Sequence, residues 1–355
     1  MDEYMKVRTN LIDKREELVN CTFAKAVLAV SIVFYHSIVF WRGNWVAAIG
    51  TPMEKPMGLY WLTQWLASFQ NYAFVLTAGY LFCYVKYERR GYNNYVSFIV
   101  NKAKRLLVPF LFVGAIWVIP ISCLYLKQDF KQVLLDYLLV QDAGQLWFVV
   151  MLFGVFILFW PLSDFCFKNH LAGLGVMLAI YAFRFVGWGY IPGYFSIWNV
   201  AKYMIIFWLG FKLRQGTLDF LRKIPLWIWL AVYTFLVICL ECVVLPHGTL
   251  NKLFHYGVEF AVHSEGAVMA FFLLQKLAQQ VQWKNSKIIH FFTKRSMVIY
   301  LFHQQVIYFV VKELNGKLNP YIHAGLNFVI AMVISSAIAV VFMKFSVTRN
   351  LVGEK

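Results

Sequence analysis

The chain has 355 residues, of which 61% are hydrophobic, 19% aromatic and only 14% charged, and its formal net charge is +16. Soluble domains usually carry about 45–50% apolar and about 25% charged residues, so this composition excludes a water-soluble globular protein and indicates one embedded in lipid. The positive charge does not indicate a nucleic-acid partner, because the basic residues lie in short segments between apolar stretches, where membrane proteins place them.

The chain begins with a polar and charged segment, residues 1–20, which we predict to be cytoplasmic. It has no short apolar core followed by a small-residue cleavage site, so a cleaved signal peptide is not expected and the first apolar run is predicted to be an uncleaved anchor. The six cysteines lie in or beside apolar stretches. We therefore expect them to pack in the interior and to form no disulfide framework.

Ten apolar runs follow, and a helix needs about 20 such residues to cross the hydrocarbon. The fold class is therefore predicted to be an all-α integral membrane protein, a bundle of about ten transmembrane helices spanning residues 21–345 and followed by a cytoplasmic tail, 346–355. The predicted helices lie near residues 21–41, 58–84, 106–126, 145–161, 170–188, 198–213, 225–245, 256–279, 296–312 and 323–345.

The orientation of the bundle follows from its Lys and Arg residues. With the N-terminus inside, 23 basic residues fall in the inner segments and eight in the outer ones. Inner loops carry the excess of positive charge in membrane proteins, so both termini are predicted to be cytoplasmic. An odd number of helices would break the alternation between strongly basic inner segments and weakly basic outer segments.

The first predicted helix contains two ionisable side chains, Lys25 and His36, where insertion costs about 2.5–3.5 kcal/mol each. Their separation of 11 residues corresponds to three turns plus about 20°, so they share a face, about 16 Å apart along the axis. Each alone has an ordinary explanation: Lys25 could extend to the interface, and His36 could be a hydrogen-bonded histidine in the bundle. Their shared face favours one polar cavity.

Basic residues also flank the turn between the second and third predicted helices. Any one of them is explained by the excess of positive charge in inner loops. The alternative is a cytoplasmic phosphate site, because Arg and Lys bind phosphate strongly. We favour that alternative for Arg105, which adjoins the apolar sequence LLVPF and is expected to lie partly within the membrane boundary.

Two later helices contain further polar groups. His255, Glu259 and His263 are spaced four residues apart on one face of the eighth predicted helix. A metal would need a further ligand at a recognisable spacing, so we predict a polar lining or a proton relay and no metal site. His303 and Gln304 lie in the middle of the ninth predicted helix.

Taken together, these residues resemble the acyltransferase 3 family of membrane-bound O-acyltransferases. Lys25 and His36 match the family's Lys/Arg–x10–His pattern, and Lys102 with Arg105 matches its R-x-x-R pattern, with Lys in the first position. The resemblance runs in order from residue 21 to about 310, through AGYLF at 78–82, KAKRLLVPF at 102–110, QLWFVVMLF at 145–153 and SMVIYLFHQ at 296–304.

The resemblance implies transfer of an acyl group, commonly acetyl from acetyl-CoA, to a hydroxyl of a sugar, a polysaccharide precursor or another cell-envelope molecule. It also implies a bacterial cytoplasmic membrane, with acyl-CoA as a co-substrate and no permanently bound cofactor. Membrane lipids would surround the chain, and the resemblance is compatible with a homo-oligomer. The candidate catalytic residue is His36, and the candidate donor- or substrate-binding residues are Lys25, Lys102, Arg105, Tyr80, Trp147, Glu259, His303 and Gln304.

A mechanistic hypothesis combines these positions. Lys25, Lys102 and Arg105 would hold the CoA phosphates, and His36 would act as a general base on the acceptor hydroxyl or would carry the acyl group transiently. A transporter or flippase for an envelope glycolipid is the alternative, since intramembrane His and Glu residues would serve it equally well. Inverted repeats would favour that alternative, and none is visible in the sequence.

Overall fold

The helical content of the chain follows from its lipid surroundings, because a helix satisfies its backbone hydrogen bonds within one segment. A computed structural model describes residues 2–43, 45–92, 94–187, 189–243, 248–281 and 283–354. Every regular element in these ranges is helical, and 84% of the structure is helix without a strand in the described part. The all-α prediction is confirmed.

The α-helices vary in length from six to 37 residues. Three-10 and π-helical turns connect several of them. In the described ranges the helices are α1 Asp2–Ile38, α2 Met57–Ala67, α3 Gln70–Cys83, α4 Tyr95–Val113, α5 Ile119–Leu124, α6 Phe130–Leu138, α7 Trp147–Lys168, α8 His170–Gly187, α9 Ile197–Gln215, α10 Leu226–Cys242, α11 Thr249–Gln280, α12 Lys287–Leu314, α13 Pro320–Lys344 and α14 Ser346–Leu351.

Five segments of the described chain are long and apolar enough to cross a membrane. They coincide with five of the ten predicted spans, and two shorter apolar helices, within α8 and α10, coincide with two more. The count of ten spans and the orientation of the termini stay predictions. The five segments are Glu16–Arg42, Tyr95–Leu124, Gly144–Lys168, Asn251–Gln280 and Pro320–Lys344.

The predicted span 58–84 is two helices, because the chain breaks between α2 and α3. In a continuous helix the Trp65 carbonyl would accept from the Phe69 amide, four residues later. Here the Tyr233 hydroxyl donates to that carbonyl, and the Phe69 amide bonds to the Leu66 carbonyl instead. A single long-range hydrogen bond therefore accompanies the break.

The structure divides into two compact units. The first comprises Met1–Leu28, Gln64–Arg89 and Ile206–Lys294, and the second comprises Ala29–Thr63, Arg90–Ile205 and Arg295–Lys355. Helices α1, α2, α9 and α12 contribute residues to both. The predicted division at residues 20 and 345 describes the membrane topology and is not tested by this division.

In the first unit, α11 packs on α3 and α10. Small side chains allow close approach: Ala24 and Ala73 are fully buried with Leu28, Ala270 and Leu274. The closest approach is between α3 and α9, where a Cβ atom on Gly79 would meet the Phe207 carbonyl and one on Gly210 would meet the Leu76 carbonyl. Small residues at such positions drive helix packing in lipid, where apolar surface alone gives no preference.

In the second unit, α7 packs on α4 and α8, and α14 packs on α4. Side chains also bond to backbone carbonyls between helices. Trp117 donates to the Phe302 carbonyl at 3.1 Å, and the fully buried Asn327 of α13 donates to the Ser37 carbonyl of α1 at 3.1 Å. These bonds hold the end of α1 and the middle of α12 in defined positions.

The two close glycines give a stability prediction. In an open helix Gly→Ala stabilises by about 1 kcal/mol, but at Gly210 the new Cβ would overlap backbone atoms, which cannot rotate away. We expect Gly210→Ala to lower the apparent Tm of detergent-purified protein by several degrees. The matched control is Gly257→Ala on α11, where nothing lies within 4 Å, and it should be neutral or stabilising. Equal Tm values for the two variants would contradict the close packing.

Candidate functional site

Six of the nine predicted site residues lie in the second unit and three in the first. The second unit holds His36, Lys102, Arg105, Trp147, His303 and Gln304, and the first holds Lys25, Tyr80 and Glu259. Lys25 and His36 do share one uninterrupted helix, α1, as the same-face prediction requires.

The centre of the second group is a pair of histidines. His36 lies near the end of α1 and His303 lies within α12, and their ring nitrogens Nδ1 and Nε2, respectively, are 2.9 Å apart. His303 is fully buried, and its Nδ1 is 2.7 Å from the Tyr300 carbonyl oxygen. Two helices distant in sequence therefore bring together two side chains that apolar surroundings would otherwise disfavour.

The partners of the two rings define which nitrogen carries each proton. A carbonyl oxygen can only accept, so the Nδ1 of His303 must be the donor. In a neutral imidazole the other nitrogen is an acceptor, so His303 Nε2 accepts from His36 Nδ1. His36 then has its lone pair on Nε2, the nitrogen that faces away from His303. This assignment is made from the hydrogen-bond partners. It leaves the Nε2 atom of His36 available to accept a proton.

Aromatic rings surround His36. The Trp45 ring stacks on it with centroids 6.0 Å apart and 24° between the planes, and the Tyr35 ring meets it edge-on at 5.1 Å. Trp45 also meets the Tyr308 ring edge-on at 5.2 Å. A row of three rings, His36, Trp45 and Tyr308, therefore extends from α1 to α12.

Amide side chains follow His303 directly on α12 and also lie on the turn before α7. Gln145 and Gln305 exchange reciprocal hydrogen bonds of 3.1 and 3.2 Å, and Gln145 also donates to the Leu301 carbonyl at 2.6 Å. Gln304 donates to the Tyr308 hydroxyl. All three glutamines are at most 3% exposed. They make the surroundings of the histidine pair polar without adding charge.

Trp147, the first residue of α7, lies apart from these hydrogen bonds. Its ring packs on Tyr203 with centroids 6.2 Å apart and on the neighbouring Phe148 at 5.8 Å. Of the predicted QLWF motif, Gln145 reaches the α12 glutamines, two residues before the tryptophan that the prediction named.

The two basic residues of α4 have different surroundings. The Lys102 ammonium lies 3.7 Å from the centre of the Phe156 ring and 5.5 Å from those of Tyr92 and Phe98. Arg105, one turn later, is exposed. The three rings stabilise the Lys102 ammonium through cation–π contacts, whereas Arg105 presents its guanidinium to the surface.

In the first unit, Tyr80 belongs to a buried ionic network. Its hydroxyl donates to Glu17 and accepts from Arg214, which also contacts Glu88 through two nitrogens, one of them at 2.6 Å. Arg222 forms an ion pair with Glu17. Glu17 is 7% exposed and Arg214 is 5% exposed. The network links α1, α3 and α9. Tyr80 therefore has hydrogen-bond partners on two other helices, which the sequence did not indicate.

The remaining predicted residues of this unit are partly buried. They are Lys25 on α1 and Glu259 on α11. Of the predicted polar face of α11, His263 stacks on the Tyr72 ring with centroids 3.9 Å apart. No group of three His, Cys, Asp or Glu side chains that could hold a metal occurs in the described part of the chain.

Three residues of the histidine surroundings escaped the sequence analysis: Trp45, Gln145 and Tyr308. Tyr308 could have been found, because it lies one helical turn after Gln304 and so shares its face. Trp45 lies in an irregular turn, where no periodicity predicts the direction of a side chain.

Comparisons with known proteins agree with this architecture. A family model described as an acyltransferase domain matches residues 20–344, nearly the whole chain. No curated protein and no solved structure gave a significant match.

The histidine pair gives a prediction that needs no assay. In 15N-labelled protein, NMR of the imidazole nitrogens should show His36 protonated on Nδ1, with its signal identified by its loss in His36→Gln. His303→Phe removes this acceptor and should shift the His36 Nδ1 signal, with the Ile32 carbonyl remaining as a partner of the ring, whereas His303→Gln keeps an acceptor oxygen and should leave the signal near its wild-type position. A wild-type His36 protonated on Nε2 would contradict the assignment.

Proposed function

Because the chain belongs to the acyltransferase domain family, we propose that it transfers an acyl group, specifically acetyl from acetyl-CoA, to a hydroxyl of a sugar or a cell-envelope polysaccharide precursor. The observation that carries the proposal is the hydrogen-bonded pair of His36 and His303, with a base nitrogen available on His36. A histidine held in one tautomer by a second group is the usual arrangement of a general base.

The proposed reaction uses this nitrogen directly. His36 Nε2 takes the proton of the acceptor hydroxyl while the hydroxyl oxygen attacks the thioester carbonyl. The carbon–sulfur bond then breaks, and the imidazolium returns the proton to the CoA sulfur. The products are an ester and free CoA, and the histidine is restored. Transient acylation of the same nitrogen is the alternative route.

We propose that basic residues near the inner membrane surface bind the CoA phosphates. The exposure of Arg105 supports a direct contact, because a guanidinium can bind phosphate through two nitrogens. The aromatic surroundings of Lys102 support a role as a fixed positive charge. Lys25 is also proposed as a donor-binding residue. Tyr80, Trp147, Glu259, His303 and Gln304 are proposed as substrate-binding residues.

The proposed setting is a bacterial cytoplasmic membrane crossed ten times, with both termini inside and lipids around the bundle. The five long apolar helices support a multi-pass membrane protein, and the family match supports an enzyme rather than a transporter. Acyl-CoA and the acceptor are the proposed partners, and a homo-oligomer is compatible with them.

Acyl transfer by purified protein in liposomes tests the proposal, with radiolabelled acetyl-CoA and envelope extracts as acceptors. We expect His36→Ala to lower the rate by about 10²–10⁴, the usual loss for a general base. His323→Gln is the control, because His323 is another buried histidine of the same unit, 3.3 Å from the Val310 carbonyl. Near-normal transfer by His36→Ala would exclude the proposed role.

The donor site has its own test. Arg105→Ala should raise the KM for acetyl-CoA roughly tenfold or more, since a hydrogen bond to a charged group contributes about 1.5–3 kcal/mol. The matched control is Lys104→Ala, which removes an equally exposed charge from the neighbouring position. If both variants raise the donor KM equally, the effect is general surface charge and not a contact of Arg105.

A further inference from the structure

The amide groups beside the histidine pair differ in how completely they are satisfied. Gln145 and Gln305 bond to each other at both ends, and the Tyr300 hydroxyl donates to the Gln145 carbonyl. These contacts fix the turn before α7 against α12. Gln305 and Gln145 therefore have a structural explanation within the unit.

Gln304 has a partner at only one end. Its Nε2 donates to the Tyr308 hydroxyl, but its Oε1 is buried without a hydrogen-bond partner, in a side chain that is 3% exposed. An unsatisfied acceptor in an apolar interior is costly, and native structures seldom keep one without a reason. A ligand that donates a hydrogen bond would remove this cost.

The unsatisfied amide is connected to the proposed base by aromatic contacts. Tyr308, which Gln304 contacts, meets the Trp45 ring, and Trp45 stacks on His36. Trp45 is only partly buried. Gln304 and His36 are thus linked through the rings of Tyr308 and Trp45, within one unit.

The chemistry of these groups selects a class of ligand. Two acceptors require a molecule with at least two donors, and hydroxyl groups provide them. A phosphate or an ionised carboxylate offers only acceptors and would match neither atom. An aromatic ring favours contact with apolar C–H surface. A neutral ring that carries several hydroxyls, such as an uncharged sugar, has both properties.

We propose that Gln304, Tyr308 and Trp45 form a subsite for the acceptor, and that it takes a neutral polyhydroxyl compound with one hydroxyl on Gln304 Oε1 and the reacting hydroxyl on His36 Nε2. The inference rests on the proposed function, which supplies the role of His36. It adds to that function the residues that bind the acceptor. It also adds that the part of the acceptor bound by them is uncharged.

The first experiment compares Gln304→Leu with wild type, using acetyl-CoA and a neutral hexose oligosaccharide. We expect the acceptor KM to rise about tenfold, as for loss of one hydrogen bond, and the donor KM to stay within twofold. Gln305→Leu, on the next residue of α12, is the matched control and should leave the acceptor KM unchanged. A Gln304→Leu variant with an unchanged acceptor KM, or with an equal rise in both KM values, would overturn the subsite.

The second experiment tests the class of ligand by direct binding. The neutral oligosaccharide and a uronate oligosaccharide of equal length are titrated calorimetrically into purified wild type, Gln304→Leu and Trp45→Leu. Tighter binding of the neutral compound, weakened in both variants, supports the subsite, and equal or tighter binding of the uronate overturns it. Failure of acyl transfer despite such binding would count against the proposed function and would leave the subsite standing.

Discussion

The hydrogen bond between His36 and His303 is the interaction on which the candidate site depends. An imidazole in an apolar interior is tolerated when its polar atoms find partners, and here one nitrogen of each ring is satisfied by the other ring. The Tyr300 carbonyl then determines the proton positions of both rings. One end of α1 is thereby defined relative to α12, and the aromatic and amide side chains around the pair acquire definite positions. The chemistry of the site is a consequence of how this polar pair is accommodated in an apolar unit.

The two units solve the problem of buried polarity in different ways. The first uses opposite charges, with Glu17, Arg214 and their partners in one ionic network. The second unit surrounds its histidines with neutral amides and phenols. Charge pairs bind helices together but leave little freedom for a charged substrate, since each ion already has its counter-ion. A neutral polar interior can exchange one hydrogen bond for another at small cost, which suits a site that binds and releases a hydroxyl compound.

Much of this organisation could be predicted from the sequence. Composition and apolar runs predict the all-α membrane class. His36, His303 and Gln304 lie within the apolar runs, and they could be singled out because the cost of burying polar side chains makes them rare there. The pairing of His36 with His303 could not be derived, since it joins residues 267 positions apart. The partners of Tyr80 were missed for the same reason: Glu17 and Arg214 lie on other helices, and no local pattern relates them. The prediction that Lys102 binds phosphate rests on its charge and on the R-x-x-R resemblance, neither of which indicates the rings around it, which come in part from α7 and from the preceding turn.

The break between α2 and α3 has a consequence for how the chain is assembled in the membrane. Residues 57–83, read as one helix, would be about 40 Å long, well beyond the about 30 Å of hydrocarbon. The hydroxyl that donates to the Trp65 carbonyl belongs to Tyr233, 168 residues later in the chain. Tyr233 is therefore synthesised after the segment 57–83. This hydrogen bond can therefore form only after α10 has been inserted. The contact that accompanies the break is thus a late event of biogenesis, made by a residue from the middle part of the chain.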